Sequence, residues 1–262
     1  MTKGGQNEDI IGKKIQTILI SQPKPETEKS PYFDLAKKYD VQLDFFPFIR
    51  VEGFSAKEFR KQKVEIQQYT AVIFTSRNSV DHFFRICEET KVKVSQECKY
   101  FCITEAVALY LQKFILYRKR KVFYGADGLT QSLLEVIAKH KATEKFLLPC
   151  SDISKDDISN WLKANKCDYA TATLYRTVCN DIRERMKEEY DMIVFFSPSG
   201  VKALFENFPQ FKQNGTFIGA FGPTTSKAVI EAGLRLDVKA PLPQAPSMVA
   251  ALEQYLADVN KQ

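Results

Sequence analysis

Hydroxyl side chains gather in this sequence where an apolar run gives way to a helical pattern. Thr75-Ser76-Arg77-Asn78 follows Ala71-Val72-Ile73-Phe74, Ser197-Pro198-Ser199-Gly200 follows Ile193-Val194-Phe195-Phe196, and Gly222-Pro223-Thr224-Thr225 follows Phe217-Ile218-Gly219-Ala220-Phe221. A fourth turn, Thr104-Glu105-Ala106-Val107, follows Tyr100-Phe101-Cys102-Ile103. At a helix N-terminus the first backbone N–H groups lack partners and the dipole end is positive, so turns of this kind favour an anion. Ser and Thr are also the preferred N-cap residues, each worth about 1 kcal/mol to its helix, and a single one implies nothing more. Four such turns, with Gly200 and Gly222 permitting close approach of a backbone, exceed what capping requires.

Turns of this type need open parallel sheets behind them, because ligands bind outside the carboxyl ends of parallel strands. Short apolar runs do alternate with helical spacing along the chain, the signature of βαβ units. A first strand over 17–20 ends in Ser21-Gln22-Pro23, a helix follows over 31–38, and a second strand over 41–46. After Ser76, the residues Val80, Phe83, Phe84 and Cys87 recur at i, i+3, i+4, i+7; after Ser197, Val201, Leu204, Phe205 and Phe208 do the same. The two segments align without a gap, and the runs ending at Ile103 and Phe221 repeat at nearly the same offset, which predicts two similar lobes in the same chain order. Stretches 46–53 and 171–178 alternate as β and have no helix of their own lobe directly behind them, so they are expected to cross between lobes. The expected fold class is α/β: two parallel-sheet lobes of the flavodoxin or Rossmann kind. Lobe 1 is assigned 1–46 with 180–262, lobe 2 54–170, and the linkers 47–53 and 171–179, with an anionic ligand expected on turns facing a cleft between the lobes.

Composition narrows the function classes. At 262 residues and 44% hydrophobic, the chain has room for a large core and for a split into lobes. No apolar run is long enough to cross a bilayer, and the polar start from Met1 to Asp9 lacks the apolar stretch of a secretory signal, so a cytoplasmic protein without a membrane partner is expected. Six scattered cysteines without a CxxC pair, and only His82 and His140 as histidines, predict neither a metal site nor a disulfide framework; the cysteines read as small buried hydrophobes. The net charge of +6 is spread along the chain, and its densest run, Arg118 to Lys121, carries no interleaved aromatics. That run reads as a solvated strand edge or loop, and no nucleic-acid partner is expected. Neither GxxxxGK[ST] nor GxGxxG occurs, and Gly125-Ala126-Asp127-Gly128 has the wrong spacing, so no cofactor is expected. A GxSxG elbow is also missing. His82, on the off-face of its helix beside Asp81, reads as a surface residue, Trp161 as packing, and Asp156 and Asp157 as carboxylates of a helix first turn. No exposed apolar stripe is evident, which points to a monomer.

Several of these segments together resemble the uroporphyrinogen-III synthase family. Phe195-Phe196-Ser197-Pro198-Ser199-Gly200-Val201, then Phe221-Gly222-Pro223-Thr224-Thr225-Ser226-Lys227-Ala228 with Gly233-Leu234 behind it, are similar to the C-terminal signature of that family. Phe74-Thr75-Ser76-Arg77-Asn78, Leu174-Tyr175-Arg176-Thr177, and Ala240-Pro241 with Pro246-Ser247 fall in the matching order. The resemblance implies two α/β lobes joined by a two-stranded antiparallel ladder. It implies a cofactor-free enzyme that closes hydroxymethylbilane, a linear tetrapyrrole carrying acetate and propionate carboxylates, to uroporphyrinogen III with the last ring inverted. In the mechanism attributed to the family, loss of the terminal hydroxyl as water leaves an electrophilic azafulvene. The last pyrrole attacks through its substituted carbon to form a spiro intermediate, which fragments and recloses. Tyr175 matches the family tyrosine proposed to assist departure of the hydroxyl; a phenol with a pKa near ~10 stays protonated and can donate. It also reads as a ladder residue whose ring packs between lobes. Substrate contacts are expected at Thr75, Ser76, Arg77, Asn78, Ser151, Ser197, Pro198, Ser199, Gly200, Gly222, Pro223, Thr224 and Thr225.

Two departures stand out. The first strand of the family usually ends in Thr-Arg-Pro where this chain has Ser21-Gln22-Pro23, so the cation absent at Gln22 is expected from Arg77 or Lys227. The turn after Ile103 commonly carries a threonine where this chain has Ala106. Both departures would also suit a two-lobed protein that binds a tetrapyrrole or another anionic metabolite without turning it over.

Overall fold

Strands covered on both faces read as continuous apolar runs, and their alternate side chains feed two different cores. In a computed structural model, which describes residues 14–153, 156–186 and 189–259, the chain opens with β1 (Thr17–Ile20), α1 (Pro31–Tyr39) and β2 (Gln42–Phe45). It continues through β3 (Ile49–Gly53), α2 (Ala56–Lys61), β4 (Ala71–Phe74), α3 (Arg77–Glu89), β5 (Lys99–Cys102), α4 (Glu105–Tyr110), β6 (Val122–Tyr124), α5 (Thr130–Ala138), β7 (Lys145–Ser151), α6 (Asp157–Ala164) and β8 (Asp168–Cys179). Then come β9 (Met192–Phe195), α7 (Pro198–Asn207), β10 (Phe217–Phe221), α8 (Pro223–Glu231), β11 (Val238–Ala240) and α9 (Met248–Val259). The chain divides at Arg50/Val51 and at Thr177/Val178 into two compact units, here lobe 1 (the flanking segments) and lobe 2 (51–177).

Lobe 1 carries the sheet β2-β1-β9-β10-β11, parallel throughout. Lobe 2 carries β8-β7-β4-β5-β6, also parallel, with β3 added outside β8. The repeat read from the sequence is a true backbone equivalence, since β4-β5-β6 occupy the places of β9-β10-β11. Ser76 and Ser197 cap their helices with nearly the same extended backbone (φ −162° and −154°), each side chain accepting from the N–H three residues on. The chain order, however, differs. The strands β7 and β8, which end lobe 2, take the places of β1 and β2, which begin lobe 1, so the lobes are related by circular permutation. The repeat covers two strands that keep their mutual order in both lobes, and for that reason does not reveal it.

Alternation within strands fixes where the helices pack. Val72 and Phe74 meet Val80 and Phe83 of α3 and Val107 of α4; Ala71 and Ile73 meet Leu133 and Ile137 of α5 and Leu162 of α6. Ile18 and Ile20 meet Leu35 of α1 and Leu252 of α9, while Ile193 and Phe195 meet Val201 of α7 and Val229 of α8. Neighbouring strands β4 and β7 thus send their helices to opposite faces, as do β9 and β1. Each such pair opens a crevice at its carboxyl ends, the topological switch point where ligands of open α/β sheets bind.

The crossing segments are strands of the lobe 2 sheet rather than a separate ladder. β8 starts at Asp168, pairs in parallel with β7, and lies against β3 on its other side. Phe54 N donates to Leu174 O (2.8 Å) and Asn180 N to Phe48 O (2.9 Å), so β3 and β8 run antiparallel. A helix does follow β3, contrary to expectation: Ser55 and Glu58 form a capping box that starts α2, which buries only Phe59 and is too short to show a helical period. The Ser55 donors and then Arg176 hold the Glu58 carboxyl down at about 2. Arg176 on β8 joins Glu58 (2.9 Å) and Glu52 of β3 (2.7 Å). Both pairs are about one-third exposed, so Arg176→Ala is expected to lower the melting temperature by only about 2 °C in low salt, an effect that differential scanning calorimetry should find erased in high salt.

Of the basic run, Lys121 is buried, contrary to expectation: its Nζ donates to Gln96 O (2.6 Å) and Glu97 (2.7 Å), which offsets the cost of burial. Cys87, Cys98 and Cys102 are buried as expected, and burial pushes each thiol up to about 12, whereas Cys150, Cys167 and Cys179 are only half-buried. Among the described residues, no helix is long and apolar enough to cross a membrane.

Candidate active site

The lobe 2 switch point opens into a pocket of about 500 Å³. Thr75 and Ser76 line it from the end of β4, Cys150 and Ser151 from the end of β7, and Thr171, Thr173 and Tyr175 from β8. The pairing of β7 with β8 slips between Cys150 and Ser151, which face Thr173 and Tyr175, so Leu174 is an extra residue. A bulge of this kind moves the next side chain by one step of the alternation. Tyr175 is thereby carried over to α3, 8% exposed, with its hydroxyl 3.3 Å from Ser76 Oγ. Burial raises the phenol's pKa above its ordinary value, and the contact with Ser76 opposes this only in part. The group is therefore a neutral O–H donor throughout the physiological range.

His82, half-buried on α3, does not line the pocket but lies behind Tyr175. Its ring stacks on that of Tyr175, with centroids 4.9 Å apart and planes at 21°. On the far side of the pocket, Asp152, Asp156 and Asp157 contribute carboxylates, and Ile153, 66% exposed, adds apolar surface. Asp156 and Asp157 open α6 as expected. Asp152 is tied to β8, its N donating to Tyr175 O (3.0 Å) and its Oδ1 accepting from Thr177 N (3.2 Å). No lysine or arginine is among the described lining residues. Arg77 and Asn78 are exposed on the first turn of α3, the Arg77 guanidinium lying 5.3 Å from the centre of the Tyr110 ring.

In lobe 1 the equivalent crevice lies between the ends of β1 and β9. Ser197 Oγ accepts from Gly200 N (3.1 Å), Ser199 is partly exposed, and Pro198 at the first helical position fixes the start of α7. Gly200 is buried, and a Cβ there would meet Ser197 Oγ at 3.5 Å and Ser21 Oγ at 3.9 Å, which are ordinary contacts. Gly222 differs: its φ of +91° is a conformation that side-chain-bearing residues resist, and it lets Gly222 N donate to Ala240 O (2.6 Å). Pro223 then opens α8. Thr225, 2% exposed, turns into the lobe, while Thr224 beside it is exposed. Lys227 lies 3.5 Å from Glu231 on its own helix, and both are well exposed.

Along residues 31–250, the sequence matches the family described as uroporphyrinogen-III synthase HemD. The chain belongs to the uroporphyrinogen-III synthase family. It is 21% identical to a uroporphyrinogen-III synthase of Chlorobaculum parvum over 257 residues, covering 92% of this chain and all of that protein. The uroporphyrinogen-III synthetase of Helicobacter pylori superposes with a TM-score of 0.59 at 17% identity, over 93% of this chain and 99% of that one. A mutant uroporphyrinogen III synthase from Thermus thermophilus gives 0.55 at 16% identity, over 94% and 100%. At such identities the structural likeness speaks for the shared two-lobed α/β fold.

For a member of the uroporphyrinogen-III synthase family, the pocket in lobe 2 holds residues that motif reasoning passed over. Thr171 and Thr173 are visible in the sequence only as alternating β residues. The acidic wall is masked by the ordinary preference of helix first turns for aspartate. His82 gave no signal, because its partner lies 93 positions away on a bulged strand.

Proposed function

We propose that this chain converts hydroxymethylbilane to uroporphyrinogen III, inverting the last ring and releasing water, as a cyclising hydro-lyase. The observation that carries the assignment to chemistry is Tyr175, a buried protonated phenol in a hydroxyl-lined pocket at the switch point of lobe 2, in a chain of this family. Tyr175 donates its proton to the departing terminal hydroxyl, which leaves as water. The azafulvene that remains is attacked by the substituted carbon of the last pyrrole, and the spiro intermediate fragments and recloses. The proton lost from the pyrrole on reclosure balances the one donated, so no net proton is consumed.

Positioning is the larger part of the work, because the less accessible carbon must be presented for attack. The acidic wall of the pocket disfavours acetate and propionate groups and suits pyrrole N–H edges, which donate to carboxylate and hydroxyl oxygens. The carboxylates are met by the open turns, through Thr75, Arg77, Asn78 and Ser151 in lobe 2 and Ser197, Ser199, Thr224 and the backbone of the Gly200 and Gly222 turns in lobe 1. Gly200 and Thr225 contribute through backbone and packing, since both are buried. The protein acts as a monomer in the cytoplasm. A binding protein without turnover is the less favoured alternative, because the family match runs through nearly the whole chain.

Product analysis tests the assignment. Hydroxymethylbilane closes spontaneously to the type I ring, so after oxidation and resolution of isomers the enzyme is expected to give an excess of type III that grows with its concentration. Type I alone at every enzyme concentration would leave only the binding alternative.

A further inference from the structure

We infer that His82 is a positioning residue: stacked on Tyr175 and tied through Arg85 to the backbone at the end of β3, it holds the phenol in its donating orientation. This rests on Tyr175 being the acid. Among the described residues, the Tyr175 hydroxyl has a single side-chain hydrogen bond, the long one to Ser76 at 3.3 Å, which is too weak to fix the ring by itself. The imidazole face supplies a second constraint, at a separation and tilt typical of offset-stacked rings. His82 is in turn anchored, because Arg85 Nε donates to its Nδ1 (3.3 Å) and Arg85 Nη2 donates to Phe54 O (2.7 Å), with Glu89 pairing the remaining side of the guanidinium. An Nδ1 that accepts puts the imidazole proton on Nε2.

The end of β3 is shaped for this arrangement. A Cβ on Gly53 would lie 2.6 Å from Arg85 Nη2 and 2.8 Å from His82 Nδ1, so a larger residue there would displace Arg85, His82 or both. The groups facing the imidazole are Arg85 and Asp81 from α3, Tyr175 from β8, and the backbone of Gly53 and Phe54; Asp81 is itself held by the Tyr110 hydroxyl (2.9 and 3.1 Å). Burial, and then Arg85, keep the His82 pKa below the ordinary 6.5. A lowered histidine pKa means that the neutral ring persists down to that lower value. The arrangement is complete above it and is lost as the pH falls through it, when Nδ1 takes a proton and the imidazolium is repelled by the Arg85 guanidinium beside it, a charge that an uncharged ring in its place does not carry.

The test is steady-state kinetics of type III formation with proton NMR of the imidazoles. Only His82 and His140 are present, so a His140→Gln background assigns the His82 signals. In wild type these signals are expected to carry a ring-current shift that disappears in Tyr175→Leu. His82→Ala is expected to lower kcat about 5-fold with KM within twofold, and His82→Phe, which keeps a stacking ring, to recover most of the loss. The acid-side fall in wild-type kcat, with a midpoint below 6.5, is expected to be absent in His82→Phe. Gly53→Ala, which leaves Tyr175, His82 and Arg85 chemically intact, is expected to move the His82 signals and lower kcat. Wild-type kcat in His82→Ala at temperatures well below its melting point, with Tyr175→Phe slow, overturns the role of His82 alone. Equal kcat in His82→Phe and His82→Ala overturns the stacking. Full activity in Tyr175→Phe removes the acid, and the positioning role with it.

Discussion

Tyr175→Phe is expected to lower kcat about 100-fold while leaving KM within about twofold, measured as the initial rate of type III formation at saturating hydroxymethylbilane. The phenylalanine ring keeps the stack on His82 and the packing of β8 on α3; what is lost is the proton donated to the leaving hydroxyl. Because the hydroxyl makes only one long contact, to Ser76, the stability lost is at the low end for a hydrogen bond, about 0.5 kcal/mol, and the fall in rate cannot be ascribed to unfolding. The pH dependence has a definite sign. A phenol whose pKa is raised by burial is in its acid form at every pH below that raised value. Wild-type activity should therefore not decline on the alkaline side until above the ordinary tyrosine value of 10.0, and Tyr175→Phe should show no such decline of its own. A variant as fast as wild type would move the proton donor elsewhere, with Ser76, whose hydroxyl touches that of Tyr175, as the first candidate.

The parts of this molecule that were legible in the sequence are those governed by short-range rules. Strands β1, β4, β9 and β10 show as apolar runs because both their faces are covered, and the turns behind them show because a cap hydroxyl and an N1 proline are chosen by local backbone chemistry. Ser76, Ser197 and Gly222 stand where their residue types place them, at the carboxyl ends of β4 in lobe 2 and of β9 and β10 in lobe 1. The bulge at Leu174 leaves no trace in composition or period, yet it decides which face Tyr175 takes and so brings phenol, imidazole and Ser76 together. The anchoring of His82 joins positions 53, 54, 82, 85 and 175, a set that no window contains. Helix α2, six residues with one buried side chain, lies below the length at which a helical period can be told from chance. The permuted order of the lobes was hidden for a different reason: a repeat of two strands constrains their mutual order and nothing beyond it.

Thr224→Val is expected to raise KM for the bilane, and the Kd of the uroporphyrinogen product, roughly 10-fold or more while changing the melting temperature by less than about 2 °C. The two side chains are nearly the same size, and the Thr224 hydroxyl, exposed on the first turn of α8, makes no hydrogen bond to the described residues, so the fold loses little with it. A hydrogen bond to a charged carboxylate is worth about 1.5–3 kcal/mol, and its loss accounts for the expected weakening. Ser197→Ala provides the contrast. Ser197 Oγ already accepts from Gly200 N, so its removal costs α7 a cap worth about 1 kcal/mol whether or not a ligand is bound. If the turns serve only as caps, Ser197→Ala should lower stability and Thr224→Val should change nothing, with KM unmoved in both. If they hold carboxylates, KM rises in both variants while stability falls only in Ser197→Ala. The exposed hydroxyl with no partner of its own is thus the position at which ligand binding separates from capping.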